Sequence, residues 1–168
     1  MSFSELAKKR YSVRKFKSDR IPDELLCTVL ESARIAPTAK NMQPVKVYVA
    51  LSDESLSKLG SLTPCVYGAP VVLIICSDKD AAAQVSGRSF AEADASIAAV
   101  HMMLQATDLG LGSLWVGRFV PSEVKEAFGL PDNIEPYALM PIGYAADDAQ
   151  PSTRHGERKD MKDLAVFI

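Results

Sequence analysis

The run Val71-Val-Leu-Ile-Ile-Cys76 holds six consecutive apolar residues between Pro70 and Ser77-Asp78. Six residues is strand length, and β-branched Val and Ile fill four of the six positions. Successive side chains of a strand point to opposite faces, so an unbroken apolar run must be covered on both. This demands packing layers above and below one strand and excludes a sheet with one solvated face. The chain has 168 residues, 48% of them apolar. A domain of that size buries roughly 70% of its extended surface, so such a core needs no metal or disulfide staple.

A second long signal lies between Ser89 and Leu109, which carries neither proline nor glycine. Ser89-Phe-Ala-Glu92 reads as a capping box, predicting that the longest helix starts there and stops at Gly110. Seven of the eight residues from Ile97 to Leu104 are apolar, so the helix is expected to be buried nearly all round, by the domain or by a partner chain. His101 is the exception and reads as a satisfied core or interface histidine. Shorter patterns predict a capped helix from Ser2 to about Lys9 and a helix opening at Pro22, with Leu25, Leu26, Val29, Leu30 and Ala33 on one face. They also predict a strand over Lys46–Leu51, a helix over Asp53–Leu59, a strand over Ser113–Val116, a helix over Pro121–Phe128 and a strand over Tyr137–Ile142. The order α-α-β-α-β-α-β-α-β implies an α+β fold, a mixed central sheet flanked by helices, in a single domain spanning 1–168. The tail Leu164-Ala-Val-Phe-Ile168 is wholly apolar. It is expected to dock on its own core or, the favoured reading, to form a strand on a second subunit.

Composition excludes several partners. Nineteen basic against twenty-one acidic residues, a net charge of -2, give no field for nucleic acid or an anionic membrane. No apolar run approaches the ~18 residues of a membrane span, and the opening residues lack the apolar core of a secretion signal, so a cytoplasmic location is expected. Cys27, Cys65 and Cys76 form no C-x-x-C pair and read as reduced structural thiols. Two distant histidines without H-E-x-x-H leave no nucleus for a metal site, and no G-x-S-x-G marks a serine nucleophile. Asp147-Asp148 reads as a solvated loop.

Three constellations remain. In an extended Arg10-Tyr-Ser12-Val-Arg14, residues 10, 12 and 14 point to one side, converging two guanidiniums and a hydroxyl in a way that suits a phosphate; a solvated basic loop is the alternative. In the loop Ala36-Pro-Thr-Ala-Lys-Asn41-Met-Gln43-Pro44, two prolines brace the amides of Asn41 and Gln43, which suit the polar edge of a heterocycle or a polyol. In Gly110-Leu-Gly112-Ser-Leu-Trp115-Val116-Gly117-Arg118, the glycines follow a helix and precede a strand, the reverse of a dinucleotide-binding turn. Gly117 would let a flat ligand approach the backbone, whereas Trp115 reads as core. A chain so poor in acids, bases and nucleophiles is expected to borrow its chemistry from a cofactor.

Taken together, R-Y-S-V-R-K-F at 10–16, A-P-T-A-K-N-M-Q-P at 36–44 and L-G-L-G-S-L-W-V-G at 109–117 resemble the nitroreductase family of FMN-dependent, NAD(P)H-oxidising enzymes, with further echoes at Asp94 and in P-I-G-Y at 141–144. The resemblance implies a homodimer with FMN at the subunit interface, touched by both chains. By that resemblance Arg10, Ser12 and Arg14 match residues holding the FMN phosphate, ribityl chain and ring edge, Asn41 and its neighbour Gln43 contact the flavin, and Val116, Gly117 and Arg118 lie against the ring near N5. Arg154 matches a basic residue closing on the phosphate. No side chain is implied as catalytic and none as a metal ligand. Three departures stand out: Ser152 where the family often has lysine, leaving Arg158 or His155 to supply the charge; Val45 in place of an aromatic; and glycine at 117, where some members carry glutamate. The implied reaction is ping-pong, NADH or NADPH passing hydride to the flavin before a small acceptor, a nitroaromatic or quinone, takes its place. A similar fold running flavin fragmentation or reductive dehalogenation, or a flavin-binding protein without turnover, is the alternative. With only about ten residues between Asp78 and Arg88, a shallow, open site is expected.

Overall fold

Every residue of the apolar run at 71–76 is buried, and alternate side chains enter different layers. The computed structural model describes residues 1–168. In chain order it forms α1 (Phe3–Lys9), α2 (Asp23–Arg34), β1 (Val45–Ala50), α3 (Asp53–Leu62), β2 (Val71–Asp78), β3 (Gln84–Val85), β4 (Arg88–Ser89), α4 (Ala91–Asp108), β5 (Gly112–Ser113), α5 (Pro121–Phe128), β6 (Ile134–Gly143) and α6 (Met161–Leu164). The main sheet has the order β1-β2-β6-β5. Its four strands pair antiparallel; the parallel component is a single bridge between Ser12 and Ser113.

β2 lies inside the sheet and serves both layers. Val71, Leu73 and Ile75 pack with Leu26 and Val29 of α2 and with Ala95, Ala99 and Met102 of α4. Val72, Ile74 and Cys76 pack with Leu59 of α3 and Val124 of α5. Complete burial of each large side chain here is worth roughly 1.5–3 kcal/mol. The pairing of β2 with β6 skips Tyr137, since Ile75 faces Ala138 and Cys76 faces Pro136. This one-residue bulge sends Ile134 and Ala138 into opposite layers despite their even spacing.

Several boundaries differ from the sequence reading. The strand expected over Ser113–Val116 is two residues long, followed by an isolated bridge from Val116 to Leu139. Ser89 does not head a capping box: it pairs with Gln84 in a small hairpin turned at Ser86 and Gly87, so Phe90 occupies the cap position. On α4, Ile97 and Val100 are 37% and 48% exposed, leaving one face of the helix open in the single chain. His101 Nδ1 lies 2.9 Å from the Ile97 carbonyl, a satisfied histidine. The tail does not dock on its own core, for Val166, Phe167 and Ile168 are almost wholly exposed. No helix is long and apolar enough to cross a membrane.

Candidate functional site

The basic segment after α1 lies along the edge of the sheet. Val13 N–H donates to the Ser113 carbonyl at 3.0 Å, Lys17 N–H to Tyr144 at 2.9 Å, and Ala146 N–H to Lys15 at 3.0 Å. Extended backbone alternates its side chains, so Val13 turns into the core, 1% exposed, while Ser12 and Arg14 turn outward. The segment approaches β5 closely enough that a Cβ on Gly112 would sit 2.6 Å from Val13 Cγ2; only glycine fits there. Lys15 and Lys17 are paired with Asp148 and Asp147. The hydrogen bond from Lys15 holds the Asp148 carboxyl below its ordinary range, and that from Lys17 to Asp147 raises the Lys17 ammonium. Asp147-Asp148 is thus the counterion of two lysines as well as a solvated loop. Arg14 reaches only the Ser12 carbonyl, at 3.4 Å, and its charge has no acid opposite it.

Arg14 instead lines a cleft of about 400 Å3 with Ser12, Ser152, Arg154 and His155. No apolar residue contributes to it. The far wall is a short helical turn over Thr153–Gly156, capped by Ser152, whose hydroxyl accepts the Arg154 N–H at 3.3 Å. His155 anchors that wall to α1, with Nε2 3.3 Å from the Lys8 carbonyl and its ring edge-on to Tyr11 at 6.3 Å between centroids. Arg158 donates to the carbonyls of His155 and Glu157, both at 2.6 Å. Of the two side chains considered as substitutes for a lysine at 152, His155 lines the cleft and Arg158 is turned onto backbone.

Arg10 corrects the expected convergence of 10, 12 and 14. It is the extended residue that ends α1, with φ -60° and ψ 124°, and its N–H is still donated to the Leu6 carbonyl. It lines a separate cleft with Lys9, Thr107 and Gly110.

The loop of Asn41 and Gln43 is built differently. Lys40, Asn41 and Gln43 take φ of 53°, 54° and 52°, the left-handed region that side chains other than Asn and Asp avoid. Two side-chain bonds join two backbone turn bonds in holding this shape: Asp94 Oδ1 accepts from Ala39 N–H at 2.9 Å and Thr38 Oγ1 from Gln43 N–H at 3.0 Å, while Asn41 and Met42 N–H donate to the Thr38 and Ala39 carbonyls at 2.9 and 3.1 Å. Asp94 is buried in the first turn of α4, and its Oδ2 has no partner. The side chains of Asn41 and Gln43 are exposed, and Gln43 makes only a 3.4 Å contact to the Asn41 carbonyl.

In the third constellation, Val116 is fixed to β6 by reciprocal bonds with Leu139, at 2.9 and 3.0 Å. Beyond it the chain leaves the sheet, and the N–H groups of Gly117 and Arg118 find no acceptor within the chain. Nothing lies within 4 Å of where a Gly117 Cβ would stand, so the backbone is open to a flat ligand. Trp115 packs half-buried against the core. A larger cleft, about 630 Å3, opens between the starts of α2 and α3. None of the sequence-selected residues lines it, and its one basic residue, Arg20, is already paired with Asp23 at 2.8 Å.

The model of the nitroreductase family matches residues 7–63 and 57–144, a span that includes the edge segment, the left-handed loop and the open strand end. The chain belongs to the nitroreductase family. It is 32% identical over 161 residues to a protein of Methanothermobacter thermautotrophicus named provisionally as an NADH dehydrogenase/NAD(P)H nitroreductase, covering 92% of this chain and 82% of the relative. An FMN reductase [NAD(P)H] of Bacillus subtilis is 28% identical, over 81% of this chain and 63% of the relative. A crystal structure of a nitroreductase family protein from Clostridium difficile superposes with a TM-score of 0.93 at 39% identity, covering 99% of this chain and 98% of that one.

In this nitroreductase family member, sequence reasoning noticed Asp94 without a role. Its signal was there: an acid flanked by Ala91, Ala95 and Ala98 on the inward face of an apolar helix, where burial demands a partner.

Proposed function

We propose that the chain is an NAD(P)H-dependent FMN oxidoreductase of nitroreductase type, working as a homodimer with FMN at the subunit interface. The observation that carries this reading is the cleft of Arg14, Arg154, Ser12 and Ser152. Two guanidinium forks and two hydroxyls around a space without apolar or acidic lining fit a phosphate monoester. FMN, when bound, supplies hydride chemistry between NADH or NADPH and a small electrophile such as a nitroaromatic or quinone, the two substrates taking turns in a ping-pong cycle.

The chain's own part is positioning. Ser12, Arg14 and Arg154 hold the phosphate, and Arg10, in its separate cleft, serves another part of the cofactor. The free N–H groups of Gly117 and Arg118, tied to the sheet through Val116, would be the donors that stabilise charge developing on the flavin ring. Asn41 and Gln43 offer amides to the polar edge of the ring. The names of the relatives, an NAD(P)H nitroreductase and an FMN reductase, support the same chemistry.

Helix α4 argues for two chains. Asp94 holds the Asn41 loop near one end, while Thr107 near the other lies in the cleft with Lys9 and Arg10. Thirteen residues of helix separate the two, about 20 Å at 1.5 Å per residue. A second copy laid across α4 in the opposite sense would bring its own loop toward the first copy's Arg10 cleft. The exposed Ile97 and Val100, Phe3 of α1 and the uncovered tail are the apolar surfaces such a copy would bury. β1 has an unpaired outer edge, to which the tail at 164–168, already extended at Ala165, can add as a strand. Three unpaired thiols fit a reducing cytoplasm.

The test is the visible spectrum of the purified full chain, recorded before and after anaerobic NADH and then NADPH, with sedimentation of the same sample. A yellow dimer bleached by either nucleotide and reoxidised by a nitroaromatic or quinone is expected. A colourless protein that leaves FMN fluorescence unquenched would sink the cofactor, and an FMN-loaded monomer would sink the two-chain site.

A further inference from the structure

The cleft of about 630 Å3 between the starts of α2 and α3 takes no part in the site described above. Its walls come from both layers of the fold. Ile21, Leu26 and Val71 belong to the layer of α2 and α4, Leu56 and Val66 to that of α3 and α5. The cleft opens at one end of β1, for it is lined by Leu51, the exposed residue that follows that strand.

The segment Leu164–Ile168 is its counterpart. Like the run at 71–76 it is unbroken apolar sequence, and an extended segment of that kind needs cover on both faces. Within one chain it has cover on neither, since Leu164, Val166, Phe167 and Ile168 are exposed. The outer edge of β1 offers both, with Val47 and Val49 packed toward α2 and α4 and Tyr48 toward α3 and α5. The direction of addition decides where the later residues go. Laid antiparallel, Phe167 and Ile168 come to the end of β1 that carries Lys46 and pairs with Ser77. Laid parallel, they pass Ala50 and meet Leu51 and the apolar walls of the cleft. Burial of large apolar side chains favours the parallel arrangement. The tail leaves its own chain near α1, where His155 is bonded to Lys8, and the segment after α1 runs along β5, at the opposite edge of the sheet from β1. Its own β1 therefore lies across the whole sheet, and the occupant is the tail of a second copy.

We propose that this cleft is the receptor for Val166, Phe167 and Ile168 of a second copy, whose tail runs parallel to β1. The proposal rests on the two-chain reading above and gives it a direction and a pocket. It assigns the cleft to assembly rather than to a substrate, and leaves it incomplete in a single chain.

The test places a photoreactive benzoylphenylalanine at position 167 of the full chain, irradiates the purified protein and maps the adducts by mass spectrometry. Chains of double mass, joined from position 167 to Leu51, Leu56 or Val66, are expected. Adducts within one chain, on another surface of the partner or at the Lys46 end of β1 overturn the proposal, as does a dimer that yields none. Sedimentation of the natural chain keeps the two readings apart. A monomer at every concentration removes the two-chain reading itself, whereas a dimer with adducts elsewhere leaves that reading standing without the cleft. A charge exchange gives a second measure. Leu51 and Phe167 are both exposed in the single chain, so substitution there leaves the fold intact. Leu51→Arg and Phe167→Glu are each expected to weaken the dimer about tenfold or more, the loss of one large buried side chain. The double variant is expected to recover part of that loss by pairing the new charges. Single variants that dimerise as the natural chain does overturn the role of the cleft.

Discussion

Two of the candidate binding regions are built by opposite means. The segment at 12–17 is stitched to the sheet by backbone bonds at Val13, Lys17 and Ala146, and no residue in it has a positive φ. The loop at 38–43 stands off the sheet with three residues in the left-handed region, and its contact with the core is the side chain of Asp94. One region inherits its shape from the sheet, and the other from its own turn bonds and a single side-chain tie to α4. The first should therefore tolerate surface changes and fail on packing changes, whereas the second should respond to one carboxylate.

The packing of the first region offers the largest effect. Gly112→Ala places a methyl 2.6 Å from Val13 Cγ2, 3.1 Å from its Cβ and 3.2 Å from its Cγ1. Valine is branched and cannot swing aside, so the segment must lift from β5. A loss of about 1–3 kcal/mol in stability is expected, measured by urea denaturation, together with weakened FMN binding as Ser12 and Arg14 are displaced. Unchanged stability would show that the edge segment is laid on the sheet more loosely than its bonds imply.

Asp94→Ala probes the second region, with a smaller global effect of mixed sign. Removing the carboxylate strips Ala39 N–H of its acceptor, about 1 kcal/mol, and also removes Oδ2, a buried oxygen without a partner. The two offset each other, so overall stability is expected to change by less than about 1 kcal/mol. The local consequence is larger: amide exchange at Ala39 and Gln43 should rise while that of β2 stays unchanged. Asp94→Asn, which keeps an oxygen for Ala39, should restore the protection. If exchange at 39–43 is the same in all three proteins, the loop holds itself.

The same contrast explains what could be read from the sequence. β2 and α4 announce themselves because six and eighteen residues of local pattern outvote any tertiary influence. Ser12 and Arg14 were legible because an extended backbone alternates whatever it pairs with. Arg10 lies apart from Ser12 and Arg14, in a cleft shared with Thr107 and Gly110, neighbours too distant in sequence for a local pattern to report. β5 and the β3–β4 hairpin, two residues per strand, exist only through their partners and leave no periodicity of their own. The meeting of Arg14 with Arg154 and His155 joins residues about 140 apart in sequence, which no local pattern reports; the family resemblance supplied Arg154, and of the two candidates beside it His155 lines the cleft while Arg158 bonds backbone carbonyls. The role of Asp94 was not legible because an acid in a helix's first turn ordinarily answers the helix dipole, which conceals one that also reaches across to another loop.

The smallest effect gives the most direct comparison of the two regions, because it turns on sign. At Lys40, φ is 53°, where a Cβ crowds the backbone by about 1–2 kcal/mol and glycine does not. Glycine also loses more chain entropy on folding, roughly 0.5–1 kcal/mol. The first term exceeds the second, so Lys40→Gly is expected to melt above Lys40→Ala, by up to about 1 kcal/mol in stability. At Lys15, whose backbone carries no such strain, only the entropic term remains, and the order reverses, with Lys15→Ala melting above Lys15→Gly. Both pairs are read by thermal denaturation of the four single variants, and alanine above glycine at position 40 would mean that the loop's left-handed turn is not held in solution. Because each pair shares the same lost lysine, charge and side-chain packing cancel within it. What is left is the backbone alone, strained where the loop is pinned by Asp94 and relaxed where the segment lies on the sheet.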